Sequence, residues 1–219
     1  MEDKESWLSK FEECYASERF ITQVKRLDLH NIINIQEIEK AIYYARKYHG
    51  TQMRQSGEPY YYHTVEEVAY IASSYFLNTN VFVTSILHDA LEDTKLAFEM
   101  ISDIFGSVIA GQVQDLTRIK FDGTKITAGD TVNLLFAQHK KDILHLKLFD
   151  RLHNMRTIGA KSPEKAKKII EETFAYFVPL AVYLRIPKIT QELIKLGYEN
   201  LQVKLEDKLL ISYLEKLLW

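Results

Sequence analysis

Cysteine is almost missing from this chain of 219 residues: Cys14 stands alone. A lone cysteine excludes an internal disulfide framework and any thiolate zinc cluster, and it suits a reducing compartment. Glycine and proline are scarce, with 8 and 4 residues, which leaves little material for a turn-rich all-β fold. No apolar run approaches the ~20 residues of a membrane helix. The charged opening Met1-Glu2-Asp3-Lys4-Glu5 cannot begin a secretory signal. Charge of one sign is not in excess either. A formal net charge of -2 provides no broad basic face for a phosphate backbone. The expectation is a cytoplasmic protein with a small-molecule partner, no membrane and no nucleic acid. Its oligomeric state is open.

Helical periodicity, by contrast, is present nearly throughout. Ile38, Ala41, Ile42, Ala45 and Tyr48 recur at i, i+3, i+4, i+7 and i+10, predicting a helix over 36–49 with Gly50 as its C-cap. Polar residues 51–59 read as a loop. Thr64 and Glu67 have capping-box spacing, which places His63 just ahead of a helix. Asn78-Thr79-Asn80 turns into a further helix over Ser85–Thr94. Shorter helices follow over 96–105, ending at Gly106, and over 108–119. Residues 120–130 are the best loop candidate. Ile143–Ile158 is a long helix, and Ser162-Pro163-Glu164 starts another that runs to about Phe177. Amphipathic stretches at 188–196 and 201–218 close the chain. Residues 1–30 suggest two short helices broken near Ala16-Ser17, acting as a lid or packing extension. No alternating strand pattern and no internal repeat occur, so the fold class is all-α.

Charged residues are concentrated where the chain is otherwise apolar. His88-Asp89 is followed by Glu92-Asp93, beside the apolar Val81, Phe82, Val83, Ile86, Leu87, Ala90 and Leu91. On a helix, i and i+4 share a face, pairing His88 with Glu92 and Asp89 with Asp93. Such groups are costly to bury unless something neutralises them, and a divalent metal does so. A mixed site needs further ligands from other helices; His63 and Asp150 are the candidates. Singly, His63 reads as a capping or surface histidine, Asp150 as an exposed acid paired with Lys147 or Arg151, and His88-Asp89 as a surface pair. Together they point to a metal site. Lys147, Asp150, Arg151, Asn154 and Thr157 form a polar stripe on a helix apolar elsewhere, consistent with a stripe facing a cavity. His30, His49, His139 and His153 read as surface or packing residues.

Three motifs carry a family resemblance: Arg54-Gln55-Ser56-Gly57-Glu58-Pro59-Tyr60-Tyr61-Tyr62-His63, then His88 to Thr94, then Lys147 to Thr157. In that order, over about residues 36–190, they resemble the hydrolase domain of RelA/SpoT-type alarmone enzymes, within the HD metal-dependent phosphohydrolase superfamily. The resemblance implies an HD-domain helical bundle over 31–190, with an N-terminal extension (1–30) and C-terminal helices (191–219) packed on it. It implies a hydrolase-only, Mn²⁺-dependent enzyme that removes the 3′-pyrophosphate of ppGpp or pppGpp. The implied metal ligands are His63, His88, Asp89 and Asp150, with Glu92 and Asp93 positioning or activating water. Arg54, Ser56, Asn154 and Thr157 match residues near the nucleotide, and Lys147 and Arg151 are suited to offsetting phosphate charge. Gln55 replaces a usual basic residue, Phe177 an expected tyrosine, and Ala181 to Ile186 the usual Ala-His-Arg-Leu-Gly-Ile. Gln55 keeps other HD activities open, such as removal of the NADPH 2′-phosphate. A non-catalytic nucleotide-binding regulator is the third reading.

Overall fold

The computed structural model describes residues 7–11, 15–118 and 124–201, and among them the regular elements are helices joined by turns and loops, with isolated bridges such as Met53 with Pro59. After a 3-10 turn, Leu8–Lys10, comes α1 (Tyr15–Leu27). The 3-10 turn ends at Phe11, whose backbone is extended, and Ala16 and Ser17, where the pattern suggested a break, lie in the first turn of α1. In α2 (Ile35–His49) the Asn34 side chain accepts from the Glu37 amide at one end, and Gly50 (φ 54°) closes the other, as expected.

Two departures from the expected helices shape the site. A helix begins at Tyr60, not after His63: α3 (Tyr60–Tyr62) leads into a π-helical stretch, His63–Ala69, and then α4 (Tyr70–Ser73). Pro59 sets this earlier start with its fixed φ of -55°, and the Thr64 hydroxyl donates to the Tyr61 carbonyl. His63 therefore lies inside a helix. The helix expected over Ser85–Thr94 is two: α5 (Thr79–Leu87), capped by Asn78, and the single turn α6 (Ala90–Asp93), with His88 and Asp89 between them.

Next come α7 (Phe98–Phe105) and α8 (Ser107–Leu116), joined at Gly106, whose φ of 92° suits glycine. The expected loop over 120–130 is shorter at its end, because Thr127 and Asp130 form a capping box that opens α9 (Ala128–Ala137). A Cβ on Gly129 would lie 2.6 Å from the Tyr176 ring, so a bare backbone is needed there. Then follow α10 (Lys141–Arg156), a 3-10 turn Ile158–Ala160, and α11 (Pro163–Glu172) with Ser162 as N-cap. A π-helical turn, Thr173–Phe177, connects to α12 (Val178–Tyr183), and α13 (Pro187–Leu201) ends the described chain. The stretch expected over 201–218 lies, beyond Leu201, outside the described residues.

One apolar core joins these helices. It extends from Phe20, Ile21 and Val24 of α1 through Phe82, Ile86 and Phe149 to Leu193 of α13. α10 is its axis: it packs on α5, α8, α9, α12, α13 and the π-helical stretch after α3. Polar residues Lys147, Arg151 and His153 of α10 are buried with its apolar ones, as a cavity-facing stripe requires.

Phe20 is fully buried and meets Phe82 edge-on, with ring centroids 5.5 Å apart. Phe20→Ala is expected to lower unfolding stability by about 3–5 kcal/mol in denaturant titration. A loss within ~0.5 kcal/mol, the size of a surface change, would show that α1 is a detachable extension.

Candidate metal centre

Three segments bring the titratable groups to one point. The π-helical stretch supplies His63, the break between α5 and α6 supplies His88 and Asp89, and α10 supplies Asp150. His63 Nε2 lies 3.2 Å from Asp150 Oδ1 and 3.7 Å from Asp89 Oδ2. His88 Nε2 lies 3.2 Å from Asp89 Oδ2 and 3.8 Å from Asp150 Oδ1. Donor atoms of His63, His88 and Asp150 all fall within 4.8 Å of one another; Asp89 joins them through its contacts with both imidazoles. Ligand bonds of ~2.1 Å at tetrahedral or octahedral angles place donor atoms roughly 3–3.5 Å apart, close to the observed separations.

The hydrogen bonding of His88 is a direct test of fit. Its Nδ1 lies 2.7 Å from the Ser85 carbonyl and must donate to it, which turns Nε2 toward the carboxylates. That Nε2 is buried without a hydrogen-bond partner. A buried nitrogen left unsatisfied beside two carboxylates, with its ring held by a carbonyl behind it, is the arrangement of a metal-ligating histidine. The residues fit a divalent cation.

Burial opposes the His88 imidazolium, but Asp89 and Asp150 outweigh it and raise its pKa to about 10. Burial likewise opposes the two carboxylates, while the imidazoles hold both well below the usual carboxylate range, with Lys147 helping at Asp150. Burial lowers the pKa of His63. His153, read as a surface or packing residue, is buried and touches the centre: its Nδ1 lies 2.6 Å from His63 Nδ1. Burial and the nearby His63 and Arg54 push its pKa down to about 3. Its spacing of three residues from Asp150 on one helix was a usable signal.

A cavity of about 470 Å³ opens over the cluster, within the range of small-molecule sites. His63, Asp89 and Asp150 line it, with Glu92, Asp93, Arg54, Lys147, Arg151 and Asn154. Glu92 and Asp93 face different partners, and Glu92 is not paired with His88. Lys125 and Arg118 hold Glu92, at 2.5 and 3.4 Å; burial opposes them, yet they keep its pKa low. Burial raises the pKa of Asp93, as do the charges of Asp89 and Glu92, against a 2.6 Å hydrogen bond donated by Tyr60.

The expected nucleotide residues divide. Arg54 donates to Asn154 at 2.8 Å, and Asn154 donates to Asp150 at 2.7 Å, forming a chain to the cluster. Lys147 donates to the Leu116 carbonyl and stands 3.9 Å from Asp150. Arg151 lines the cavity, but its guanidinium is engaged by Glu172 at 2.6 Å and lies over the Phe177 ring. Ser56 is exposed on the 51–59 turn, and Thr157 donates to the His153 carbonyl; neither is among the lining residues. Tyr60, Arg118, Lys125 and Lys161 line the cavity without having been singled out. Among the described residues, Arg54 and Lys161 are the lining cations without a carboxylate partner.

Comparison with known proteins agrees with this geometry. A family model of the HD domain matches residues 41–186. The chain is 36% identical over 172 residues to the bifunctional (p)ppGpp synthase/hydrolase SpoT of Escherichia coli, and 34% identical over 171 residues to the GTP pyrophosphokinase rsh of Brucella ovis. Each match covers 76% of this chain, but 24% and 23% of those longer proteins. A solved structure, described as a metazoan ortholog of SpoT that hydrolyses ppGpp, superposes with a TM-score of 0.60 over 74% of this chain and 94% of the other, at 20% identity. This likeness establishes the fold.

A cation entering the cluster must displace the proton on His88, since ligation needs the neutral ring. With that pKa raised to about 10, His88 is protonated at neutral pH, and apparent metal affinity should rise as pH climbs toward that value. Titration calorimetry in buffers of different ionisation enthalpy is expected to show proton release on metal uptake near pH 7. Identical heats in all buffers would contradict a protonated His88.

Proposed function

The chain belongs to the HD-domain family, and from that we propose that it is a metal-dependent hydrolase that removes the 3′-pyrophosphate of ppGpp and pppGpp, with Mn²⁺ as its ion. GDP or GTP and pyrophosphate would be the products. The observation that carries this reading is the shared cavity: the His/Asp cluster, the Asp93 carboxylate and two cations without a carboxylate partner among the described residues, Arg54 and Lys161, all face one space. Similarity to SpoT over the same stretch supports the substrate.

His63, His88, Asp89 and Asp150 would hold the cation. When bound, it supplies Lewis-acid polarisation of a phosphoryl oxygen and lowers the pKa of water. Asp93 is the better placed general base. Its raised pKa gives it more affinity for a proton than an ordinary carboxylate, and Tyr60 orients it. Glu92, tied to Lys125 and Arg118, is a weaker base and acts mainly as the anchor of that cavity wall. The water oxygen bonds to the phosphorus attached to the 3′ oxygen, its proton passes to Asp93, and the 3′ oxygen leaves and is protonated. Arg54 and Lys161 offset the charge of the nucleotide's phosphates or meet the acceptor edge of its base, Arg54 from a position fixed by Asn154.

Two measurements test this reading. In parallel assays with ppGpp, pppGpp and NADPH, Mn²⁺-dependent pyrophosphate release from the first two is expected, and loss of that release in His88→Ala and Asp150→Ala. Turnover of NADPH alone would move the protein to the 2′-phosphatase reading suggested by Gln55, and binding without turnover would make it a regulator. The division between the carboxylates is read separately. Asp93→Asn should lower kcat by about 10²–10⁴-fold with Mn²⁺ affinity retained, and Glu92→Gln should cost markedly less. Because Asp93 must be ionised, kcat should fall as pH drops through its raised pKa. Equal losses in the two variants would overturn the assignment of the base.

A further inference from the structure

We propose that His153 is a positioning residue that fixes the tautomer of His63, accepting its Nδ1 proton so that the Nε2 lone pair faces the cation. This rests on the proposed metal site, though not on the proposed substrate. The Nδ1 atoms of the two rings are 2.6 Å apart, and both side chains are buried, His63 2% and His153 3% exposed. Their centroids are 4.5 Å apart and the planes tilted by 32°.

Two lone pairs cannot face each other at that distance, so one ring must hold the hydrogen. His63 Nε2 is the atom turned toward Asp150 and Asp89. A neutral His63 that offers this nitrogen to a cation carries its proton on Nδ1. The hydrogen bond then runs from His63 to His153, and the proton of neutral His153 sits on Nε2. His88 supplies the precedent within the site, for its Nδ1 is likewise backed by the Ser85 carbonyl. Each histidine thus has an acceptor behind it: a backbone carbonyl for one, an imidazole for the other. The same helix, α10, carries Asp150 and His153 one turn apart, so a single rigid element supplies one donor of the cluster and orients another.

The test reads metal binding on the whole chain. Leucine at 153 fills space but accepts nothing, whereas the amide oxygen of asparagine lies near the place of the imidazole Nδ1 and can accept. His153→Leu is expected to weaken Mn²⁺ binding by about 10–100-fold in titration calorimetry, with the metal-free melting temperature recorded as a control on folding. His153→Asn should restore most of that affinity. Parental affinity in the leucine variant, or equal weakness in both, would overturn the proposal, as would a parent chain that binds no divalent cation. Should the leucine variant fail to fold, ¹⁵N-histidine spectra of the parent with Zn²⁺ decide. The expected pattern is His63 protonated at Nδ1 and His153 at Nε2, and the opposite tautomers would overturn it. A chain that held Mn²⁺ normally but left ppGpp intact would remove the substrate and leave this inference standing.

Discussion

Everything near the centre of this molecule follows from placing each of two imidazoles 3.2 to 3.8 Å from the same two carboxylates in a largely buried site. Desolvating charges costs several kcal/mol per ion in a folded protein, and Asp89 and Asp150 also repel each other. The metal-free protein meets this cost with a proton on His88. On the proposed ligand set, a divalent cation would meet it through all four donors and would engage the buried His88 Nε2. Folding and cation binding would then be linked through the same side chains.

The backbone is distorted where that cluster requires it. An uninterrupted α-helix through 85–94 would place His88 beside Glu92. Breaking it at His88-Asp89 turns the pair inward and frees Glu92 and Asp93 to face the cavity. The π-helical stretch at His63–Ala69 is a second departure, of a kind often found at functional sites. Both irregular segments are held against regular neighbours, α10 above all, whose apolar side chains pack on nearly every side. Irregularity at the site is tolerated because the core around it is continuous.

These distortions also explain which features were legible in the sequence. Helix class, the stripe of α10, the Asn78 and Ser162 starts and the Gly50 and Gly106 ends follow from local periodicity and capping chemistry, and each appears where expected. The candidate metal donors stand out because four titratable residues, two histidines and two aspartates, lie in largely apolar contexts. Helix breaks were not visible, since nothing local forbids a helix through His88 and Asp89; tertiary attraction decides there. The same applies to partners. Arg151 reads as a free cation until Glu172 is seen beside it, and Glu92 reads as the equal of Asp93 until Lys125 and Arg118 claim it. His153 reads as a surface or packing residue, although i+3 spacing from Asp150 places it near the centre.

The far end of the cavity raises a question of recognition that the metal cluster does not answer. Arg54 reaches it because the turn 51–59 folds back on itself: the Arg54 amide donates to the Glu58 carbonyl and the Gly57 amide to the Arg54 carbonyl. Asn154 then ties the Arg54 guanidinium to Asp150, so a contact made at Arg54 is registered against the reacting centre. Gln55 beside it contributes no charge, yet Lys161 enters the same space from the turn before α11 and lacks a carboxylate partner among the described residues. A cation missing from one wall is matched by one present on another. Because Lys161 presents a compact, rotatable ammonium and not a planar fork, it suits single phosphate oxygens or base acceptors without demanding one orientation. On the proposed function, substrate choice would turn on the pair Arg54 and Lys161, and the chemistry would stay with the residues at the cavity floor.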